Sequence, residues 1–144
     1  MSHAFSLDDC VLTINGIELR GFENAQDAVV ITPVGDDGDI TYGINGDGVF
    51  VSSCNKGATI AIKGLQHSEM NRILNDLRSR QINNMRTASG NIISFKDLRN
   101  GDEFTLTGCW FTTPPTHGRG TAHNGNTWTL KAVKAEIKLT EGYI

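Results

Sequence analysis

The sequence of 144 residues predicts a mainly β protein, an antiparallel β-barrel or sandwich with one amphipathic helix at about residues 68–80. Asparagine followed by glycine recurs four times, and this dipeptide favours the positive φ angles of tight hairpin turns. Alternating residues flank the first of these turns, while one later segment has helical periodicity instead. The pairs are Asn15-Gly16, Asn45-Gly46, Asn100-Gly101 and Asn124-Gly125.

The first Asn-Gly pair predicts the clearest hairpin. Residues 10–14 and 17–20 flank it as two short strands, with Asn15 and Gly16 in the turn. A type I′ turn requires positive φ at both central residues, which these two residue types tolerate. Further strands are predicted at residues 28–32, 40–44, 49–53, 58–63 and 91–96.

A longer strand is predicted at residues 104–110. Phe104, Leu106 and Trp110 are expected to share one face, with threonines on the other. This alternation is typical of a strand that is covered on one side.

The last strand, at residues 127–139, contains apolar residues that change parity along its length. Either a bulge near Ala132 realigns them, or both faces of the strand are covered in different places. Trp128 and Leu130 point one way, and Val133, Ala135, Ile137 and Leu139 point the other.

The segment 68–80 breaks the β pattern. Its apolar residues recur at i, i+3, i+4 and i+7, which gives a helix one apolar stripe. Ser68 can cap this helix, and Glu69 suits its positive N-terminal end. Arg78 and Arg80 suit its negative end. The helix is therefore predicted to cover the core, through the stripe Met70, Ile73, Leu74 and Leu77.

Length and charge limit the function classes. The chain suits a single domain, residues 1–144, and has no apolar stretch of the roughly 18 residues that cross a bilayer. Residues 1–5 lack the features of a signal peptide, so we expect the protein to be made in a cytoplasm. The net charge of −3 argues against a dedicated nucleic-acid binder. Cys10, Cys54 and Cys109 form no CxxC pair, and we interpret them as reduced packing residues.

The aspartate- and glycine-rich residues 35–48 predict turns rather than a ligand site. An EF-hand loop starting at Asp37 would need glycine at its sixth position and glutamate at its twelfth, where the sequence has Tyr42 and Gly48. A phosphate loop would lead into a helix, but Val49 begins an apolar strand. No catalytic, cofactor or metal site is predicted.

The histidines predict no zinc site either. His117 and His123 lie in a flexible-looking loop, and no nearby Cys, Asp or Glu completes a ligand set. We interpret both as solvated loop residues. No serine lies in a GxSxG elbow, and no cysteine has the local signature of a nucleophile.

Two long polar loops remain, at about residues 33–48 and 112–126. Loops of this length usually have a function or are disordered. Each offers little apolar area, so one copy would bind weakly, whereas repeated copies in a symmetric ring could sum many small contacts.

Five segments occur in an order typical of one known family: residues 40–51, 56–62, 66–74, 110–115 and 126–130. The first three resemble a glycine-bearing strand pair, an apolar strand and a Ser-x-x-Asn helix start. The last two are similar to a proline-containing loop and an aromatic final strand. With these features the chain resembles the small tail tube proteins of contractile-tailed bacteriophages.

The resemblance implies a structural virion protein of the tail tube, not an enzyme, assembled in the cytoplasm of a bacterial host. Six copies would form a ring whose inner wall is a continuous β-barrel, and rings would stack into a tube inside the contractile sheath. Partners would be the sheath, baseplate and tape-measure proteins, while DNA would pass through the lumen without specific binding. Six copies at −3 give −18 per ring, which repels phosphate.

We hypothesise that residues 33–48 form an extended hairpin that reaches the neighbouring ring. This hypothesis rests on the length of the segment and on its central turn residues. The residues of the two loops expected to contact other subunits or rings are Asp36, Asp37, Asp39, Tyr42, Asn45, Asp47, His117 and Arg119.

Other classes stay open at this point. A secreted tube component, such as the haemolysin-coregulated protein of type VI secretion, has the same architecture and would also form rings. A carbohydrate- or calcium-binding β module would be monomeric and would melt at a temperature that depends on its ligand. An enzyme would need a pocket with convergent polar groups, of which the sequence gives no sign.

Overall fold

A computed structural model describes residues 5–141 of the chain. Within that range the chain forms nine β-strands and one α-helix after a short 3-10 turn at Leu7–Asp9. The predicted mainly β class with a single helix is confirmed. The elements are β1 (Cys10–Ile14), β2 (Ile17–Leu19), β3 (Val29–Pro33), β4 (Gly38–Tyr42), β5 (Gly48–Ser52), β6 (Ala58–Gly64), α1 (Glu69–Asn83), β7 (Asn91–Asp97), β8 (Glu103–Thr113) and β9 (Asn126–Lys138).

Seven of the strands form one antiparallel sheet, in the order β2-β1-β7-β8-β9-β6-β3. Its edge strands β2 and β3 are not hydrogen-bonded to each other, so the sheet is not closed into a barrel within one chain. The segment between these edges instead runs along the end of β6, where Phe22 forms an isolated bridge with Gly64. Strands β4 and β5 pair only with each other, as a separate two-stranded sheet.

The turn between β1 and β2 has the predicted type I′ character. Asn15 (φ 53°) and Gly16 (φ 83°) lie between the paired residues Ile14 and Ile17. Asn15 is the one non-glycine residue in the described range with positive φ. The other Asn-Gly pairs therefore do not form type I′ turns, because their asparagines keep negative φ in longer connections.

The long hairpin of β8 and β9 changes its inward face halfway along. The pairing register stays constant, from Thr107 opposite Lys134 to Cys109 opposite Ala132. Gly108 lies at this point with φ 64°, a left-handed conformation, and a Cβ there would lie 3.1 Å from the side chain of Val133. Beyond Gly108 the pairing of β8 with β7 shifts by one residue. The inward parity changes in both strands, because Ala132 and Ala135 both contact the core. The register of β8 with β9 has no bulge near Ala132, so that alternative is wrong. Val133, Ile137 and Leu139, which were predicted to have the other parity, are exposed.

This change corrects one sequence prediction. Trp110 does not share a face with Phe104 and Leu106, because the left-handed Gly108 intervenes. Cys109 and Phe111 are buried in its place, and Trp110 is half-buried opposite Lys131.

The parity change lets two portions of the sheet cover one core. The first portion consists of β2, β1 and β7 with the part of the β8–β9 hairpin that is farther from its connecting loop. The second portion consists of β6 and β3 with the part of that hairpin that is nearer the loop. Buried residues of both portions belong to a single apolar cluster with the helix. Its largest members include Leu12, Ile14, Ile60, Ile62, Ile93, Leu106, Trp128 and Leu130.

The helix packs on this core as predicted. Ser68 accepts a hydrogen bond from the N–H of Met70 and so caps α1, which extends to Asn83. Met70 and Leu74 of the predicted stripe are buried, and Ile73 and Leu77 pack against the cluster. The indole N–H of the buried Trp128 donates to Oδ1 of Asn71 at 3.0 Å, so this polar atom is satisfied on burial.

A helix side chain seals part of the sheet edge. The last residues of β8 extend beyond β7, so their backbone on that side has no strand partner. Gln81 supplies one: its Oε1 accepts from the N–H of Phe111 at 2.9 Å, and its Nε2 donates to the carbonyl of Phe111 at 3.0 Å. The amide thus satisfies the backbone groups that an edge strand would otherwise present.

We predict that Gln81→Leu destabilises the fold, because it leaves the N–H and carbonyl of nearly buried Phe111 without partners. The expected loss is roughly 1–3 kcal/mol in the free energy of unfolding, measured by urea denaturation. Asn75→Leu, at an exposed position of the same helix, is the matched control and should change the value by less than about 0.5 kcal/mol. Equal effects of both variants would contradict the edge-sealing role.

All three cysteines are free, but they differ in environment. Cys109 is buried, which raises its pKa to about 11. Burial also raises the pKa of partly buried Cys10, with smaller contributions from Asp97 and Asp9. Cys54 is exposed just after β5, so its interpretation as a packing residue is wrong.

These environments predict the order of thiol reactivity. At pH 8, Cys54 should react first with Ellman's reagent, and Cys109 should react only after denaturation, because its thiol is buried and burial disfavours the reactive thiolate. The variant Cys54→Ser should lose the fast phase of the reaction with Ellman's reagent and keep the slower phases. Rapid modification of Cys109 in the folded protein would contradict its burial.

Candidate assembly interface

The hairpin of β4 and β5 is the part of the described chain that stands apart from the core. It pairs from Gly38 opposite Ser52 to Tyr42 opposite Gly48. The connecting loop is closed by hydrogen bonds from the N–H of Gly43 to the carbonyl of Asp47 (2.6 Å) and from the N–H of Gly46 to the carbonyl of Gly43 (3.1 Å). The turn character predicted for this segment is confirmed, with a longer loop than a two-residue turn.

The apolar side chains of this hairpin are exposed. Ile44 at its tip is fully exposed, while Tyr42 and Phe50 keep 70% and 62% of their surfaces accessible. A two-stranded hairpin is marginally stable alone in water. An exposed apolar patch of this kind marks an interaction surface in soluble proteins. The exposed apolar residues of the hairpin are Ile40, Tyr42, Ile44, Val49, Phe50 and Val51.

The same hairpin is strongly acidic. Residues 36–52 contain four aspartates and no lysine or arginine. None of the ion pairs within residues 5–141 includes any of these aspartates. The aspartates are Asp36, Asp37, Asp39 and Asp47, and all are exposed.

Six of the predicted contact residues lie on the hairpin or on the segment that leads into it, and the other two lie elsewhere. The six are exposed, and they are the four aspartates, Tyr42 and Asn45. His117 and Arg119 are also exposed but lie in the loop between β8 and β9, where Arg119 donates to the carbonyl of Gly118 at 2.9 Å. The hairpin leaves the sheet where β6 begins, and this loop lies where β6 ends. The two groups therefore occupy opposite ends of the second portion.

The loop between β8 and β9 is held to the start of the helix. The N–H of Gln66 donates to Nε2 of His123 at 3.1 Å, and Oε1 of Gln66 accepts from the N–H of Asn124 at 3.0 Å. The His67 ring lies edge-on to His123 at 5.8 Å. His123 is exposed, as its interpretation as a solvated loop residue implies, and it also links the loop to Gln66.

No metal-binding cluster or membrane helix is found in the described range. Residues 5–141 contain no group of three His, Cys, Asp or Glu side chains placed to hold a metal ion. Within the same range no helix has the length and apolar character needed to span a bilayer. His3 lies outside the described residues.

Sequence reasoning missed the apolar part of this surface. It predicted a strand at residues 49–53 and no exposed apolar surface on it. The signal was present in the continuous apolar run Val49, Phe50 and Val51, which lacks the alternation of a strand with one solvated face. Only the structure shows that both faces of this strand are exposed.

Comparisons with known proteins identify the fold. No family model matches the sequence, and no curated protein is similar to it. The cryo-EM structure of the tube-terminating cap of the anti-feeding prophage is similar at a TM-score of 0.64 and 9% identity, over 97% of this chain and 94% of that one.

Two structures from an extracellular contractile injection system, PVC, are also similar. Its sheath/tube terminator in the extended state matches at a TM-score of 0.62 and 9% identity, over 95% of this chain and 98% of that one. Its sheath-tube complex in the extended state matches at a TM-score of 0.60 and 10% identity, over 91% of this chain and 88% of that one. Nearly the whole chain therefore has the fold of components of contractile injection systems.

Proposed function

We propose that this chain is a structural subunit of the tube of a contractile phage tail or a related injection particle. Copies form a ring, six per ring as the resemblance to tail tube proteins implies, and rings stack around a channel. The fold similarity to tube and terminator components supports this proposal. The single observation that carries it is the exposed hairpin, which needs another molecule to cover it.

The energetics of the hairpin favour association. Complete burial of an apolar side chain of this size contributes roughly 1.5–3 kcal/mol. Six such side chains that are already partly covered can supply on the order of 5–10 kcal/mol. This is comparable with the roughly 4–15 kcal/mol that association costs in lost freedom. A neighbouring copy could therefore hold the hairpin, and a ring would add such contacts cooperatively.

The remaining parts of the proposal concern the assembled particle. The channel would let DNA pass without specific binding, because a ring of six chains carries a net charge of −18. The sheath, baseplate and tape-measure proteins would be the other partners, and the protein would be located in the tail of the virion after assembly in the host cytoplasm.

A terminating ring is the second candidate function. The structures of the anti-feeding prophage cap and of the PVC terminator favour it, because both end a tube. A tube protein must stack on both faces of its ring, whereas a terminator stacks on one. The length of the assembly formed by the pure protein separates the two: long tubes indicate a tube protein, and single rings indicate a terminator.

Removal of the hairpin tests the proposal. Asp37 and Ser53 meet at its base, where the N–H of Ser53 donates to the carbonyl of Asp37 at 2.7 Å, so two glycines can replace Gly38–Ser52. We expect the wild-type protein to form rings or tubes in negative-stain micrographs. The variant should sediment as a monomer, because it lacks the surface that a neighbour covers.

The controls make the result decisive. Circular dichroism and thermal unfolding should show that the variant stays folded, because the hairpin makes no contribution to the apolar core. A wild-type protein that remains monomeric at high concentration would contradict the proposed function. A hairpin-free variant that assembles like the wild type would contradict the role of the hairpin.

A further inference from the structure

We propose that the hairpin of one copy docks on the C-terminal end of helix α1 of a second copy, on a surface that we name the arginine face. The inference rests on the proposed function, because it identifies the surface that receives the hairpin. The arginine face consists of Arg80, in the last turn of α1, and of Met85 and Arg86, in the segment that follows the helix.

The charges of the two surfaces are complementary. Residues 80–86 contain two arginines and no acidic residue, whereas residues 36–52 contain four aspartates and no basic residue. No ion pair within residues 5–141 includes either of the two arginines. The planar guanidinium group suits carboxylates, with which it forms paired charge-assisted hydrogen bonds. Each surface thus supplies the counter-charge that the other lacks.

The helix dipole does not account for this cluster by itself. Arg80 lies in the last turn of α1, where a cation is favourable. Arg86 lies beyond Asn83, the last residue of the helix, so the helix dipole does not explain its position.

The arginine face also has apolar area to offer the hairpin. Met85, in the segment after the helix, is 57% exposed. Tyr42, Ile44 and Phe50 of the hairpin are exposed as well, so both surfaces combine unpaired charge with uncovered apolar side chains. A combination of apolar anchors with charges around them is typical of protein interfaces.

A cavity beside Arg80 provides room for a hairpin side chain. It measures about 330 Å³, and its lining combines the Trp110 ring with polar side chains. The side chains of Asn84 and Ser89 can donate hydrogen bonds to a carboxylate or a carbonyl oxygen. This lining suits an acidic, partly aromatic segment.

Two exposed lysines of the sheet, Lys96 and Lys134, suit the hairpin less well. Lys134 and Lys96 already pair with Glu136 and Glu103, so carboxylates are interspersed with the cations there. An acidic hairpin would meet repulsion on that face, whereas the arginine face contains no carboxylate.

The position of the two surfaces makes the contact intermolecular. Within the second portion of the sheet, the strand order is β8-β9-β6-β3. The hairpin connects β3 to β6 at one edge, while Gln81 fixes the end of the helix to Phe111 of β8 at the other. Because the hairpin and the arginine face lie at opposite edges of one subunit, their contact is head-to-tail. Such contacts close into a ring or continue as a stack.

Charge reversal on each side tests the contact. The variant Arg80→Glu/Arg86→Glu keeps the hairpin, and the variant Asp39→Arg/Asp47→Arg keeps the arginine face. Each alone should require at least about tenfold more protein to form rings, measured by sedimentation velocity and negative-stain microscopy. An equimolar mixture should restore assembly, because each altered surface then finds its altered complement.

A matched control removes the effect of net charge. Lys134→Glu/Lys138→Glu changes two exposed cations of β9 outside the arginine face and alters net charge equally, so it should leave assembly unchanged. Thermal unfolding checks that every variant is folded.

The outcomes separate this inference from the proposed function. If the wild type assembles but the mixture does not, or if the lysine control fails as badly as the arginine variant, the arginine face is not the receptor and the proposed function stands. If the wild type forms no ring, the proposed function is wrong, and this contact with it.

Discussion

The structure depends on one bend in one long hairpin. A strand with a constant alternation would present its apolar residues to a single side along its whole length. At Gly108 and Val133 the inward parity of β8 and β9 changes together while the strands remain paired. The sheet can therefore turn its apolar residues toward the same core on both sides of the bend. This gives one core from a single open sheet, with the helix packed against it.

The same core determines which segment is left outside. Strands β4 and β5 contribute no side chain to the apolar cluster, although they are as rich in apolar residues as the strands that do. Their exposure is costly for a monomer, because apolar strands with uncovered faces promote association. In the proposed function this cost is recovered when a neighbouring copy covers them.

The unpaired end of β8 and the separate β4–β5 hairpin differ in whether other residues of the chain cover them. The free edge of β8 is closed by Gln81, whose side-chain amide takes the place of a strand. The acidic hairpin is left open and carries its aspartates without counter-charges. The unpaired charges of the hairpin disfavour pairing of one hairpin with another.

The local patterns of the sequence determined the secondary-structure elements. Only the tertiary structure decided which side chains are covered and which are exposed. The stripe from Met70 to Leu77 and the Asn15-Gly16 turn are short-range signals, and the structure confirms both. The exposure of Phe50 and the covering of Phe111 by Gln81 depend on residues distant in the chain. Alternation shows which residues share a face, but it does not show whether anything covers that face. That depends on where the bend at Gly108 directs the two portions of the sheet, which no local pattern encodes.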